Sequence, residues 1–169
     1  MMNSTSLGIK ILSAKEAGWE TVYPMWQRLT VELPTYHFAP FGQPLLEEQS
    51  VNQKATLQGC LSKEDAEVFI ACGDGDTVYG TLSVVRNQQK GYEYPDSAVL
   101  FNLWVDPSMR RKKIGTVLVD HAKQWLTAQG VTSVQVGWHP DNSAAALFWC
   151  KHGFRQYESI AACVLSGSD

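Results

Sequence analysis

Apolar residues at Trp19, Val22, Trp26, Leu29 and Leu33 recur at three- and four-residue steps, the spacing of one helical face. The pattern predicts a helix entered through Ser13-Ala-Lys-Glu16, which has capping-box spacing, and ended by Pro34. Pro24 should kink or restart it, because proline has no N–H to give. Ile9 to Leu12 reads as a short preceding strand, and a weaker helix is expected from about Leu46 to Leu61. The aromatic and proline-rich run between them, Thr35 to Pro44, suits an ordered loop. The period then changes. Glu67 to Cys72 and Thr77 to Val85 are strand-like and flank Gly73-Asp-Gly-Asp76, residues that tolerate the positive φ of a tight hairpin. A polar stretch, Arg86 to Ser97, is expected as a connection, and Ala98 to Val105 as a buried strand closed by Asp106-Pro107.

Farther on, Ile114, Leu118, Ala122 and Trp125 or Leu126 form one apolar stripe, and Gly130 is placed to stop that helix. Val131 to Trp138 reads as the next strand. Asp141-Asn142-Ser143 is a helix start for Ala144 to Lys151, with Gly153 closing it. Phe154 to Leu165 should supply a last strand or two. The order of strand, two helices, three strands, helix, strand, helix and strands implies an α/β or α+β sheet packed against helices.

No repeat or low-complexity tract divides the 169 residues, so one domain over residues 1–169 is expected. An apolar share of 44% with six Trp, six Tyr and six Phe is enough for one core and argues against a disordered chain. The net charge of −3 rules out a global basic field, so neither nucleic acid nor an anionic membrane is an expected partner. Residues 1–10 lack a secretory apolar stretch, and no apolar run is long enough to span a bilayer, so a cytoplasmic location is the expectation. Cys60, Cys72, Cys150 and Cys163 show no metal-ligand spacing, and no metal is expected. Pairing one of them with His37, His121, His139 or His152 for nucleophilic catalysis has no local motif behind it.

Chemistry concentrates between the strand ending at Val105 and the helix beginning near Gly115. The first amides of a helix lack intrahelical partners and sit at the positive end of its dipole, so they accept an anion. Arg110, Arg111, Lys112 and Lys113 add local positive charge, and Gly115 would allow close approach of a phosphate. Neither the G-x-G-x-x-G of a dinucleotide site nor the Gly-Lys-Ser/Thr end of a P-loop is present. The strand followed by Val105-x-Pro107-x-x-Arg110-x-x-Lys113-Ile114-Gly115-Thr116 instead resembles the pyrophosphate motif of the GNAT acetyltransferases. In that motif Arg110 and Gly115 take the first and last positions, and Lys113 replaces a glycine; a negative φ at Lys113 would make the replacement harmless. Asn142-x-x-Ala145, an aromatic and Gly153-Phe154 resemble the family's later motif.

The resemblance implies a GNAT-type mixed central sheet flanked by helices and splayed between the Ala98–Val105 and Val131–Trp138 strands. It implies acetyl-CoA as cosubstrate, with Leu103 and Val105 pairing through their main chains with the pantetheine arm. The diphosphate would lie on Arg110, Arg111, Lys112, Lys113, Ile114, Gly115 and Thr116, and Asn142 joins the cofactor-binding set. The implied activity is direct transfer of the acetyl group to a primary amine of a small molecule or peptide, a homodimer being left open. Asn102 could orient a water or the amine, although the Ala98–Val105 strand offers no carboxylate base. Trp149 stands where the family has a tyrosine acid; its indole donates a hydrogen bond but not a proton, and a packing role suits it better. Tyr157, Tyr94 or water could replace the acid. Tyr36–Phe41 and Gly91–Tyr94 fall where the family builds its acceptor site. A catalytically weak or inactive acyl-CoA-binding module with the same fold is the alternative.

Overall fold

The computed structural model describes residues 8–32, 46–73 and 77–159. Its elements follow the order β1 (Lys10–Ser13), α1 (Ala14–Ala17), α2 (Trp19–Glu32), α3 (Leu46–Ser62), β2 (Ala66–Cys72), β3 (Val78–Gln88), β4 (Asp96–Val105), α4 (Ile114–Ala128), β5 (Ser133–Val136) and α5 (Ser143–Lys151), with one 3₁₀ turn at Pro107–Met109. The strands form one sheet in chain order. β2–β3 and β3–β4 are hairpins and pair antiparallel, β1 pairs antiparallel with β2 across the intervening helices α1 to α3, and β4 and β5, separated by α4, pair parallel.

Both faces of the sheet are covered, which explains why β2, Ala-Glu-Val-Phe-Ile-Ala-Cys, is buried along its whole length. Phe69 and Ala71 join Leu82, Val84, Ala98 and Leu100 under the buried stripe Ile114, Leu118, Val119, Ala122 and Leu126 of α4. Val68, Ile70 and Cys72 point the other way, onto Val22 and Trp26 of α2 and Leu57 of α3. The mixed sheet between two helical layers is the expected fold class.

Several boundaries differ from the sequence expectation, each for a local reason. The first helix is two: Gly18, at φ 86°, donates its N–H to Ala14 O at 2.9 Å and ends α1, while α2 runs through Pro24 without interruption. Ser13 caps α1 by accepting from the Lys15 amide, and its hydroxyl donates to Glu67 at 2.8 Å. Both ends of the polar connection Arg86–Ser97 are ladder, since Arg86, Asn87 and Gln88 pair with Ala98, Ser97 and Asp96, and the stretch 89–95 forms the hairpin connection. Main-chain pairing decided this against side-chain polarity, at an end of β3 that reaches solvent. Gly91–Tyr94 therefore lies at the hairpin that begins β4, roughly 30 Å along that strand from Val105. The Val131–Trp138 strand shrinks to Ser133–Val136, and residues 154–159 carry no strand. The expectations on Pro34, the Thr35–Pro44 loop, residues 74–76 of the hairpin, His37, Cys163 and the strand beyond 159 lie outside the described residues.

Candidate functional site

The two halves of β4 are built differently. From Ser97 to Leu100 it pairs with β5, and this pairing ends at Leu100 opposite Val136, while β4 continues to Val105. On its other side the register jumps: Thr81 faces Trp104 but Ser83 faces Phe101, so β4 carries one residue more than β3. Asn102 lies in this bulge at φ 50°. An αL residue is a recognised way to seat such an extra residue, and asparagine tolerates it better than other non-glycine residues. Past the bulge, Asp106 N–H bonds Tyr79 O at 2.8 Å, and Val105 faces Gly80. Alternation along an antiparallel ladder then turns the Val105 amide and carbonyl away from β3, toward the side without β5. The side chains of Leu103 and Val105 pack against the core beneath α4, leaving their main chain along the open edge.

Beyond β4, Asp106 Oδ1 accepts the Ser108 amide at 2.9 Å and the Ser108 hydroxyl at 2.6 Å. These bonds, first the hydroxyl and then the amide, hold the Asp106 carboxyl below its ordinary value, assisted by Arg28 and Arg110. Arg111 and Lys113 adopt φ 64° and 66°. The first intrahelical bond of α4 runs from Val117 N–H to Lys113 O at 3.0 Å, so the amides of Ile114, Gly115 and Thr116 have no acceptor within the helix. Left-handed backbone just before such amides is a geometry from which anion-binding concavities are built.

One expectation for this turn needs correction, and two of its residues have further partners. Lys113 does not keep a negative φ; it holds the conformation for which glycine is the usual residue, at a cost of roughly 1–2 kcal/mol. Gly115 is also a packing position: a Cβ there would meet the Phe148 ring at 3.3 Å and Val105 Cγ2 at 3.8 Å. Arg110 is not aimed at the helix start. Its guanidinium bonds Glu32 Oε2 at 2.7 Å and Val105 O at 3.0 Å, while Trp104 Nε1 donates to the other Glu32 oxygen at 3.1 Å. Arg111, Lys112 and Lys113 remain as the exposed cations of the turn, and Ile114, buried in the core, has only its main chain to offer.

The other candidates are dispersed around this junction. Asn142 caps α5, its side-chain oxygen accepting the Ala145 amide at 2.9 Å. Trp149 is buried, with ring centroids 5.1 Å from Phe148 and 5.2 Å from Phe154, both edge-on. Tyr157 is 73% exposed on the segment after α5. Of the cysteines, Cys60 and Cys72 are buried and Cys150 exposed; burial pushes the Cys60 thiol up, away from the thiolate. The sequence reading missed Glu32, Trp104, the bulge and the place of His152 against α4. An asparagine inside an otherwise apolar strand was the one available hint of the bulge.

The bulged, half-paired strand and the helix it runs into lie within the stretch that a family model matches. The family model of the acetyltransferase (GNAT) family covers residues 24–154, and the chain belongs to that family. An uncharacterised N-acetyltransferase of Methanocaldococcus jannaschii is 26% identical over 100 residues, 59% of this chain and 44% of the relative. The ribosomal protein bS18-alanine N-acetyltransferase of Salmonella typhimurium is 33% identical over 61 residues, 36% of this chain and 41% of the relative. The chain thus spans under half the length of these curated relatives. Among solved structures, an acetyltransferase of Pyrococcus furiosus superposes with TM-score 0.75 at 16% identity, over 93% of this chain and 99% of that one. An aminoglycoside N-acetyltransferase in complex with CoA gives TM-score 0.71 at 18% identity, over 97% and 99%. Similarity at this level shows the shared fold. No described helix is long and apolar enough to cross a membrane.

Proposed function

We propose that the protein is an N-acetyltransferase that passes the acetyl group of acetyl-CoA to a primary amine of a small molecule or peptide. The observation that carries this reading is the direct succession of an unpaired β4 edge and three helix-start amides, with family membership behind it. Acetyl-CoA supplies an activated thioester. The chain's part is to hold it. The amides of Ile114, Gly115 and Thr116 would receive the diphosphate, with Arg111, Lys112 and Lys113 adding charge. Val105 N–H and the Leu103 main chain would pair with the pantetheine amides as an added strand. Arg110, already on the Val105 carbonyl, would orient that edge and tie it to α2.

Attack needs a neutral amine, and an alkyl ammonium titrates near ~10.4. Ser97 to Val105 contains no carboxylate, so the proton would leave to water, with Asn102 positioned by the bulge to orient that water or the amine. Trp149 serves packing in this reading. A thiol with pKa of about 8.5 leaves tolerably well as the thiolate, so a dedicated acid is dispensable. The same missing groups favour, as a second reading, an acyl-CoA-binding module with little turnover.

Thermal unfolding with added ligand tests the site. Acetyl-CoA at a hundredfold its dissociation constant should stabilise the fold by about 2.7 kcal/mol, with NAD and ATP far weaker. Stabilisation by a dinucleotide but not by acetyl-CoA would overturn both readings. Thiol release on adding amines then separates enzyme from binding module.

A further inference from the structure

One titratable ring is built into the joint between α4 and α5, beside the unpaired amides. His152 closes α5, and only 12% of its side chain is exposed. Its ring lies 4.5 Å from that of Phe148, the side chain that fills the space over Gly115, and its carbonyl accepts the Lys123 ammonium. Nε2 is 3.4 Å from Thr116 Oγ1, and Nδ1 is 3.7 Å from Asp120 Oδ1. The ring is therefore tied to the third and seventh residues of α4.

We propose that His152 is a proton-linked positioning residue for the cofactor diphosphate, acting through the Thr116 hydroxyl. The inference rests on the acetyl-CoA reading above. A neutral imidazole has one N–H. With that hydrogen on Nδ1, toward Asp120, Nε2 can only accept, and the Thr116 hydroxyl donates into the ring. Protonation from solvent makes both nitrogens donors: Nδ1–H toward Asp120 and Nε2–H toward the Thr116 oxygen. The hydroxyl is then released to donate to an anion at the helix start, and the hydrogen bond it accepts strengthens the one it gives.

The charged groups acting on the ring are Asp120 and Lys123 of α4; α5 presents the apolar Phe148. Burial holds the ring below its ordinary value, partly offset by Asp120 and reinforced by Lys123, so it is neutral near pH 7 without ligand. A diphosphate next to Thr116 favours the imidazolium and raises its pKa. Binding then takes up a proton and tightens as pH falls. The gain is complete below the titration of the unliganded ring and absent above that of the liganded one.

Calorimetric titration of the full chain with acetyl-dephospho-CoA, whose diphosphate keeps its charge across the range, tests this from about pH 5.5 to about pH 8. Using two buffers of different ionisation heat counts the protons. The wild type should take up protons and bind roughly three- to tenfold tighter at the acid end, tenfold corresponding to one unit of pKa shift. His152→Gln, whose amide donates at every pH, should bind with a flat profile. Thr116→Val, which loses the hydroxyl, should bind weakly with a flat profile and keeps the test decisive if the Gln variant does not fold. Wild-type binding without proton uptake, or a pH profile that survives in either variant, overturns the proposal. Failure of the wild type to bind at any pH would overturn the acetyl-CoA reading and this inference together.

Discussion

The N-terminal and C-terminal halves of β4 share one strand and little else. Ser97 to Leu100 is paired on both sides, with Ala98 and Leu100 buried beneath α4. Phe101 to Val105 is paired on one side, interrupted by a bulge and followed by a turn with two left-handed residues. Asn102, Arg111 and Lys113 are the non-glycine residues with positive φ among those described, and they all fall in this second region. Strain of this kind persists only where surrounding packing over-determines it, and its confinement to one junction marks that junction as built for something besides stability. The regular half supplies a rigid base from which the other half can leave its main chain open.

The largest test of this contrast is Leu100→Ala in the regular half. Leu100 is 1% exposed, so the substitution should cost about 2–5 kcal/mol in denaturant unfolding. Affinity of the folded fraction for acetyl-CoA should change little, because the side chain faces the core and not the open edge. A large loss of affinity at unchanged stability would erase the division of labour.

A smaller effect of opposite sign is expected in the strained half. Lys113→Gly removes the αL penalty and should raise stability by about 1 kcal/mol, seen as a higher denaturant midpoint at constant slope. A decrease would mean that the lysine side chain contributes more than its backbone costs. Affinity measured alongside reports what the Lys113 charge adds to anion binding at the turn.

How much of this could be read beforehand follows the range of the interactions. The α4 stripe and the Asn142 and Gly153 boundaries of α5 were legible, because periodicity, capping and a glycine stop are local. The basic turn leading into the start of α4 was legible for the same reason. Its finer roles were not: Arg110 is claimed by Glu32, 78 residues away, and Gly115 by Phe148 on another helix. Sequence spacing carries no information about such partners. The hairpin beginning β4 was missed because main-chain pairing overrode polar side chains, and the bulge because one extra residue appears only when two strands are laid side by side.

The smallest effect tests whether the turn is anchored at Asp106, where β4 ends. Bonds from the Ser108 hydroxyl and amide, with help from Arg28 and Arg110, hold its carboxyl below the ordinary value of about 3.9. A depressed carboxyl pKa means that the unfolded chain binds the proton more readily than the folded one, so the contribution is complete above the unfolded value. It is lost as pH falls through the folded value. Because Asp106 is partly open to solvent and its ion pair with Arg28 is a 3.4 Å surface contact, the contribution should be small and reduced by salt. Asp106→Asn keeps an oxygen to accept the Ser108 amide but cannot titrate. Its unfolding free energy, followed from about pH 6 to about pH 3, should fall less steeply than that of the wild type, the two curves converging at the acid end. Parallel curves would show that the end of β4 is held by its main chain alone, through Asp106 N–H on Tyr79 O.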